Sequence, residues 1–376
     1  MFGVYFHIPF CRSKCGYCDF YSVASSELQN LVLSAMEKEL DLRKDYLNPL
    51  AGDNQATIYF GGGTPSLLSA NEINILVEKA RQVLGVGEIM EFTVEINPDD
   101  ISPDHLSSLR DIGVDRLSIG IQSFFNKDLH FANRRHTAEQ AIEGVRLAQK
   151  SGFQNISIDL IYGLPDLTAE RWKENLQIAF ELGIQHLSAY SLMVEERTPF
   201  GILQRKRKLS LPQEEGIVLQ DAILNEQSKK YNFERYEISN FAKNGHYSKH
   251  NTAYWQGAKY IGIGPSAHSF NGCTRQYNVA NSTKYIKGIE NNQYVVEVEQ
   301  LTLVEKYNEY IFTSLRTKWG ITLSEVEKYG KKFKDFCLQN IDKNLKLNNL
   351  VQQERVFIPQ EKMLIADAII LDFIWA

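Results

Sequence analysis

Three of the five cysteines fall within eight residues, as Cys11-x3-Cys15-x2-Cys18. Thiolates at this spacing on one short loop can hold three irons of a [4Fe–4S] cube. No further cysteine lies nearby, so one iron stays open and can chelate the amino and carboxylate groups of an amino-acid ligand. Zinc is the rival, but a structural zinc takes four N or S ligands; His7 is a candidate for the fourth on sequence distance alone. Cys273 and Cys337 lie far along the chain and read as small buried apolar groups. Cys273 follows Gly272, so a reactive thiol is the alternative there. A second segment, Gly61-Gly62-Gly63-Thr64-Pro65, exposes backbone groups and lets a ligand approach closely. Alone it would read as a β-to-α turn; beside the cysteines it reads as a ligand loop.

These residues need elements to hold them. Residues 4–8, 57–60, 92–96, 116–121, 156–161 and 186–191 are short runs of β-formers bounded by Gly, Pro or polar residues. Helical spacing fills the gaps, at 28–43, 70–83, 103–112, 137–150 and 167–182. Ser69 and Ser102 are placed to cap two of these helices, and Thr137-x-x-Gln140 is a capping-box pattern. Strands alternating with helices predict parallel β/α units with right-handed connections. Cys11, Gly62-Gly63-Thr64, Glu95, Gln122 and Asp159 all sit in or just after a strand's C-terminal end. In a barrel those ends converge on one mouth. The reading is therefore an α/β chain with an incomplete (β/α)6 parallel barrel over residues 1–200.

Residues 201–300 read as a connecting α+β segment. A basic run, Arg205-Lys206-Arg207-Lys208, precedes a helix from near Pro212 to about Lys230, and reads as a solvated loop rather than a phosphate or lipid contact. Strands are expected at 236–241 and 260–263. Residues 301–376 change character, with helices at 301–316, 322–329 and 333–340, a strand pair at 350–359 and a closing helix at 362–375. That order suggests a small winged-helix-like domain.

Composition excludes several classes. Lys plus Arg is 41 and Asp plus Glu is 46, giving −5, which argues against a nucleic-acid binder. Apolar residues are 43% and charged residues 23%, ordinary globular usage. No run of about 18 uncharged apolar residues offers a membrane span. The first residues lack a basic start followed by an apolar signal core, so the cytoplasm is the expected compartment.

The cysteine constellation resembles the radical S-adenosylmethionine superfamily. Cys11-x3-Cys15-x-Tyr17-Cys18 after the first strand is similar to its hallmark, and the Gly-Gly-Thr-Pro run to its element that positions the methionine amino group. More residues resemble the coproporphyrinogen III oxidase-like group. They are Tyr5-Phe6-His7-Ile8-Pro9-Phe10-Cys11, Val94-Glu95-Ile96-Asn97-Pro98, Gly120-Ile121-Gln122-Ser123-Phe124, Asn133-Arg134-Arg135-His136 and the run from Ile158 to Pro165, in order and spacing. The resemblance spans about residues 3–375. It implies a [4Fe–4S] cluster on Cys11, Cys15 and Cys18 with S-adenosylmethionine at the open iron. Tyr5, Gly62, Gly63, Thr64, Glu95, Gln122, Arg134 and Asp159 would line the S-adenosylmethionine pockets, with Tyr17 close by. A carboxylate such as Glu95 or Asp159 suits ribose hydroxyls or an ammonium group, and Arg134 suits a carboxylate.

Three features choose a branch. Where the oxidases carry another cysteine, two residues after the third, this chain has Phe20, and only four residues precede Tyr5 where the oxidases have an extension. His250-Asn251-Thr252-Ala253-Tyr254-Trp255 is similar to the His-Asn-x-x-Tyr-Trp motif of the HemW-type branch, whose members bind haem and deliver it to haem proteins. Imidazole is a common axial ligand to haem iron, and Tyr254 and Trp255 offer flat apolar area to a porphyrin. The resemblance thus implies a haem chaperone with recipient haem proteins, membrane-bound respiratory enzymes among the candidates. Peripheral membrane contact and a homodimer are both open to it. The alternatives are an oxygen-independent coproporphyrinogen III dehydrogenase or a radical enzyme on another substrate. His7, His136 and His268 are candidates for polar roles near the mouth, with structural roles the plainer reading.

Overall fold

The predicted alternation of strands and capped helices is what the chain builds. The computed structural model describes residues 1–47, 54–293 and 296–376. Six parallel strands run β1 (Phe2–Ile8), β2 (Gln55–Gly62), β3 (Glu88–Ile96), β4 (Arg116–Gln122), β5 (Asn155–Tyr162) and β6 (His186–Ser191). Helices α1 (Gln29–Leu42), α2 (Ala70–Leu84), α3 (Pro103–Asp111), α4 (Asn126–Phe131), α5 (Ala138–Lys150) and α6 (Ala169–Glu181) lie between them. The capping signals act as read. Ser69 and Thr137 form full capping boxes with Glu72 and Gln140, and Ser102 accepts from the His105 N–H. The short α4 is absent from the sequence pattern, because six residues give too little period to read.

The second half extends the sheet at both ends. After α7 (Pro199–Arg205) and α8 (Glu214–Lys230) come β7 (Phe233–Arg235) and β8 (Asn240–Lys243). The expected strand at 236–241 is instead the turn and flank of this antiparallel hairpin. Helix α9 (Lys249–Trp255) leads into β9 (Tyr260–Ile263), which pairs parallel to β1. The parallel array therefore has seven strands, β9-β1-β2-β3-β4-β5-β6, one more than the sequence pattern predicts. β10 (His268–Phe270), β11 (Thr274–Asn278) and, after α10 (Ser282–Glu290), β12 (Val296–Gln300) continue antiparallel to give twelve strands. The sheet curls as an incomplete barrel: residues at the C-terminal ends of β2 to β6 and on the loop after β1 all line one cavity.

Two apolar cores form. One takes residues from Phe2 to Ile289, including Leu224, Phe241 and Ile263 of the later segments. The other lies within α11 (Leu303–Leu315), α12 (Leu323–Glu327), α13 (Lys331–Lys346), the two-residue strands β13 (Val351–Gln352) and β14 (Val356–Phe357), and α14 (Ala366–Leu371). Helix α13 runs six residues past the predicted Asn340. The expected closing helix is a 3-10 turn, Gln360–Ile365, followed by the short α14. Cys337 is buried here, and burial pushes its thiol up to about 12. Cys273 is exposed between β10 and β11. No helix among the described residues is long and apolar enough to cross a membrane.

A buried ion pair joins α1 to β9–β11. Glu39 accepts from Arg43 at 2.8 Å, the Gly264 N–H at 2.8 Å, Asn278 at 2.7 Å and the Tyr285 hydroxyl at 2.6 Å. Arg43 also donates to the Gly262 carbonyl, Ser269 and Gln276. Removing one partner of such a pair is costly because the other charge stays out of water. Glu39→Ala should lower stability by about 3–5 kcal/mol, seen as a fall in the urea midpoint; an unchanged midpoint would count against this account.

Candidate functional site

The cysteine loop hangs from the C-terminal end of β1 and is tied at its base. The Cys11 N–H donates to the Val23 carbonyl at 3.0 Å, and the Val23 N–H to the Pro9 carbonyl at 2.8 Å. Its tip is held from outside. The Gly16 N–H reaches the Ala132 carbonyl, the Phe200 N–H reaches the Gly16 carbonyl, and Asn133 donates to the Lys14 carbonyl. His7 works beneath the loop. Its Nδ1 bonds the Tyr5 hydroxyl at 3.1 Å and its Nε2 the Tyr21 carbonyl at 2.9 Å. With both nitrogens so used, His7 is not available as a fourth ligand. Its ring also fills the space where a Cβ on Gly62 would sit, and Gly62 has φ 108, so glycine is needed there twice over.

The three cysteines are half-buried on one cavity of about 380 Å³. Thr64 donates to the Cys11 sulfur at 3.5 Å and Arg134 to the Cys15 sulfur at 3.3 Å. Burial pushes the Cys18 thiol up to about 11. Among the described residues, no three His, Cys, Asp or Glu side chains gather closely enough for a single ion. The cavity wall also holds Gly62, Gly63, Thr64, Glu95, Gln122 and Asp159, with Arg134 and Tyr17. Gln122 has φ 73 beside a register shift against β5, a bulge that turns its side chain out of the strand pattern.

Charge inside the cavity is mixed. Arg134 donates to Asn97 at 2.7 Å and to the Gly120 carbonyl at 2.5 Å, while its Nε is buried without a partner. Asp159 is partly buried, and desolvation raises its pKa against hydrogen bonds from Ser188 and Ser118 and the charges of Arg116 and Arg134. Glu95 accepts from the Tyr59 hydroxyl at 2.8 Å. Its carboxyl is pushed up to about 7, chiefly by burial and further by Asp159, against the Tyr59 bond and the Gly62 N–H. A donor set of three thiols, an unpartnered guanidinium N–H and two carboxyls fits a cluster with a zwitterionic amino acid beside it.

Not every expected residue is here. Tyr5 lies a layer below the wall, its hydroxyl on His7. His250, Asn251, Tyr254 and Trp255 sit on α9, at the opposite end of the barrel. Helix α9 meets the strands at their starts: His250 Nδ1 bonds Thr57 at 2.8 Å, and Glu91 accepts from the Lys249 and His250 N–H groups. His250 Nε2 bonds the Tyr254 hydroxyl at 2.6 Å. The ring is buried and neutral, its pKa lowered to about 3 by burial and then by the Arg116 charge. Sequence reasoning did not single out Tyr59, Ser118, Tyr190 or Met193, which support or rim the cavity. Two of the rim side chains, Phe20 and Met193, are 68% and 72% exposed.

A family profile described as "Radical SAM superfamily" matches residues 5–186. The protein named "Heme chaperone HemW" from Bacillus subtilis is 34% identical, over 98% of each chain. The chain belongs to the HemW family. The Lactococcus lactis protein of that name is 36% identical over 88% of this chain and 85% of its own. Among solved structures, HemN from Escherichia coli, a coproporphyrinogen III oxidase described as a radical SAM enzyme, superposes with a TM-score of 0.82. It covers 99% of this chain and 90% of its own at 23% identity, a likeness of fold. In this HemW-family chain the motif of the branch and the cysteine cavity thus occupy opposite ends of one barrel.

Glu95 gives a pH test. A carboxyl whose folded pKa lies above its unfolded one favours folding at low pH and loses that benefit as pH rises through the folded value. Compared with Glu95→Gln, which cannot titrate, the wild type should lose stability between about pH 4.5 and 7. Unfolding of the two proteins across that range would show a flat difference if Glu95 titrated normally.

Proposed function

We propose that this chain is a haem chaperone, binding haem and delivering it to haem proteins. The observation that carries this is the 34% identity, end to end, with a relative named as a heme chaperone. Phe20, at the position of the oxidases' additional cysteine, and the His250 motif support it. In this reading Cys11, Cys15 and Cys18 hold a [4Fe–4S] cluster. Gly62, Gly63, Thr64, Glu95, Gln122, Arg134 and Asp159 surround S-adenosylmethionine, with Tyr5 and Tyr17 supporting them. Held by these cysteines, the cluster would supply one-electron reduction chemistry to the S-adenosylmethionine site. Arg134 offers its Nε to a carboxylate, and the Gly62–Thr64 backbone accommodates an amino group.

Haem is proposed to meet helix α9. Trp255, Tyr254 and Asn251 are partly exposed there and offer the contact surface, while the buried His250 braces Tyr254 from within. Both His250 nitrogens are engaged, so axial ligation by His250 would first require breaking its bonds to Thr57 and Tyr254. Residues 1–200 would carry the cluster, 201–300 the haem motif, and 301–376 a small accessory domain. We further propose a cytoplasmic protein that touches the membrane peripherally, serves membrane-bound respiratory enzymes among its recipients, and works as a homodimer.

An anaerobic haem titration of the cluster-reconstituted protein, followed optically, tests the function. A one-to-one complex is expected, weakened roughly tenfold (about 1.4 kcal/mol) in Trp255→Ala. Absent haem binding, together with conversion of coproporphyrinogen by the same preparation, would replace the chaperone with an oxidase. Cys15→Ala should separately abolish the cluster's iron and its visible absorbance.

A further inference from the structure

His250 has a place in the structure that the haem reading does not use. Its ring lies under Tyr59, centroids 5.0 Å apart and planes 28° from parallel. Tyr59 in turn donates its hydroxyl to Glu95 at 2.8 Å, on the cavity wall. Glu95 also accepts the Gly62 N–H, in the glycine segment that ends β2. At Gly61 an added Cβ would lie 2.9 Å from the Tyr59 ring, 3.0 Å from Glu95 Oε1 and 3.1 Å from the Tyr5 ring. Tyr5, Tyr59 and Glu95 therefore close over the backbone that leads to the cavity. His250 cannot slide away, because Thr57 and Tyr254 hold its two nitrogens and Glu91 anchors the start of α9.

We propose that His250 is a positioning residue for the S-adenosylmethionine pocket: packed under Tyr59, it fixes the Tyr59–Glu95 hydrogen bond and, through it, the glycine loop. This rests on the reading of the cavity as that pocket. The branch motif then serves the cavity at the far end of the barrel as well as its own surface. His186 provides the contrast. It is equally buried and bonds Ser157 at 2.7 Å and the Tyr236 hydroxyl at 2.8 Å, but neither of these partners hydrogen-bonds a side chain on the cavity wall, as Tyr59 does through Glu95.

The test measures S-adenosylmethionine affinity by the change that it causes in the electron paramagnetic resonance of the reduced cluster. The proteins are full-length and reconstituted: wild type, His250→Gln, Tyr59→Phe, the double variant and His186→Gln. His250→Gln and Tyr59→Phe should each weaken binding about three- to tenfold at unchanged iron content. The double variant should be no weaker than the worse single one, as expected for two residues acting through one contact. His186→Gln should lower thermal stability and leave the affinity unchanged. Equal weakening by His186→Gln would reduce the effect to general loosening and overturn the proposal. So would an unchanged affinity in His250→Gln, and if it also lost haem, the motif's haem role alone would stand. Should His250→Gln fail to fold, Tyr59→Phe, which removes one oxygen, decides: unchanged affinity there overturns the proposal. A wild type that does not bind S-adenosylmethionine overturns both this inference and the pocket reading beneath it.

Discussion

A guanidinium with almost no access to water organises the interior of this barrel. Arg116 is 1% exposed, and its Nε and Nη1 have no hydrogen-bond partner. Burial opposes its charge, and Glu91, Tyr59, Tyr236 and Asp159 more than restore it. Each of these neighbours has a second task. Glu91 fastens α9 at one end, Asp159 lines the cavity at the other, Tyr59 holds Glu95, and the Tyr236 hydroxyl meets His186 and the Ser248 N–H. A charge in a low-dielectric interior is felt over several ångströms with little screening. Floor and mouth are thus joined electrostatically as well as by packing.

The interior is polar because the strands carry polar residues at every second position. Thr93 and Glu95, then Arg116, Ser118 and Gly120, then Ser157 and Asp159, then His186, Ser188 and Tyr190 follow one another around the sheet in register. Parallel strands are usually apolar on both faces. Here one face packs against the helices while the other lines the barrel, and the lining is what lets a cavity open at the strand ends.

That pattern also marks how far the sequence could be read. The six strand runs, the capping boxes and the cysteine loop were legible because each depends on neighbours within a few residues. The period-two polar residues sit inside runs dominated by β-forming apolar residues, so nothing local marks Tyr59 or Ser118. β9 was legible as a strand, yet its pairing with β1 was not, since no local signal tells a four-residue run which distant edge it will join. Likewise the His250 motif was found by type and spacing. Its burial beneath Tyr59 follows from α9 folding back against the starts of β1, β2 and β3, a long-range event that periodicity does not encode.

The pairing of β9 with β1 has a consequence for biosynthesis. β1 carries the cysteine loop, and one of its two neighbours is made from Tyr260–Ile263. A ribosome releases Cys11, Cys15 and Cys18 long before it makes that neighbour. Until then β1 has an unpaired edge, and the β10–β11 segment that Arg43 ties to the end of α1 is missing. Long-range pairing of this kind is slow to form. The loop is therefore synthesised among the first residues but held in finished surroundings only after most of the chain is out, which favours metal loading after translation over loading on the nascent chain.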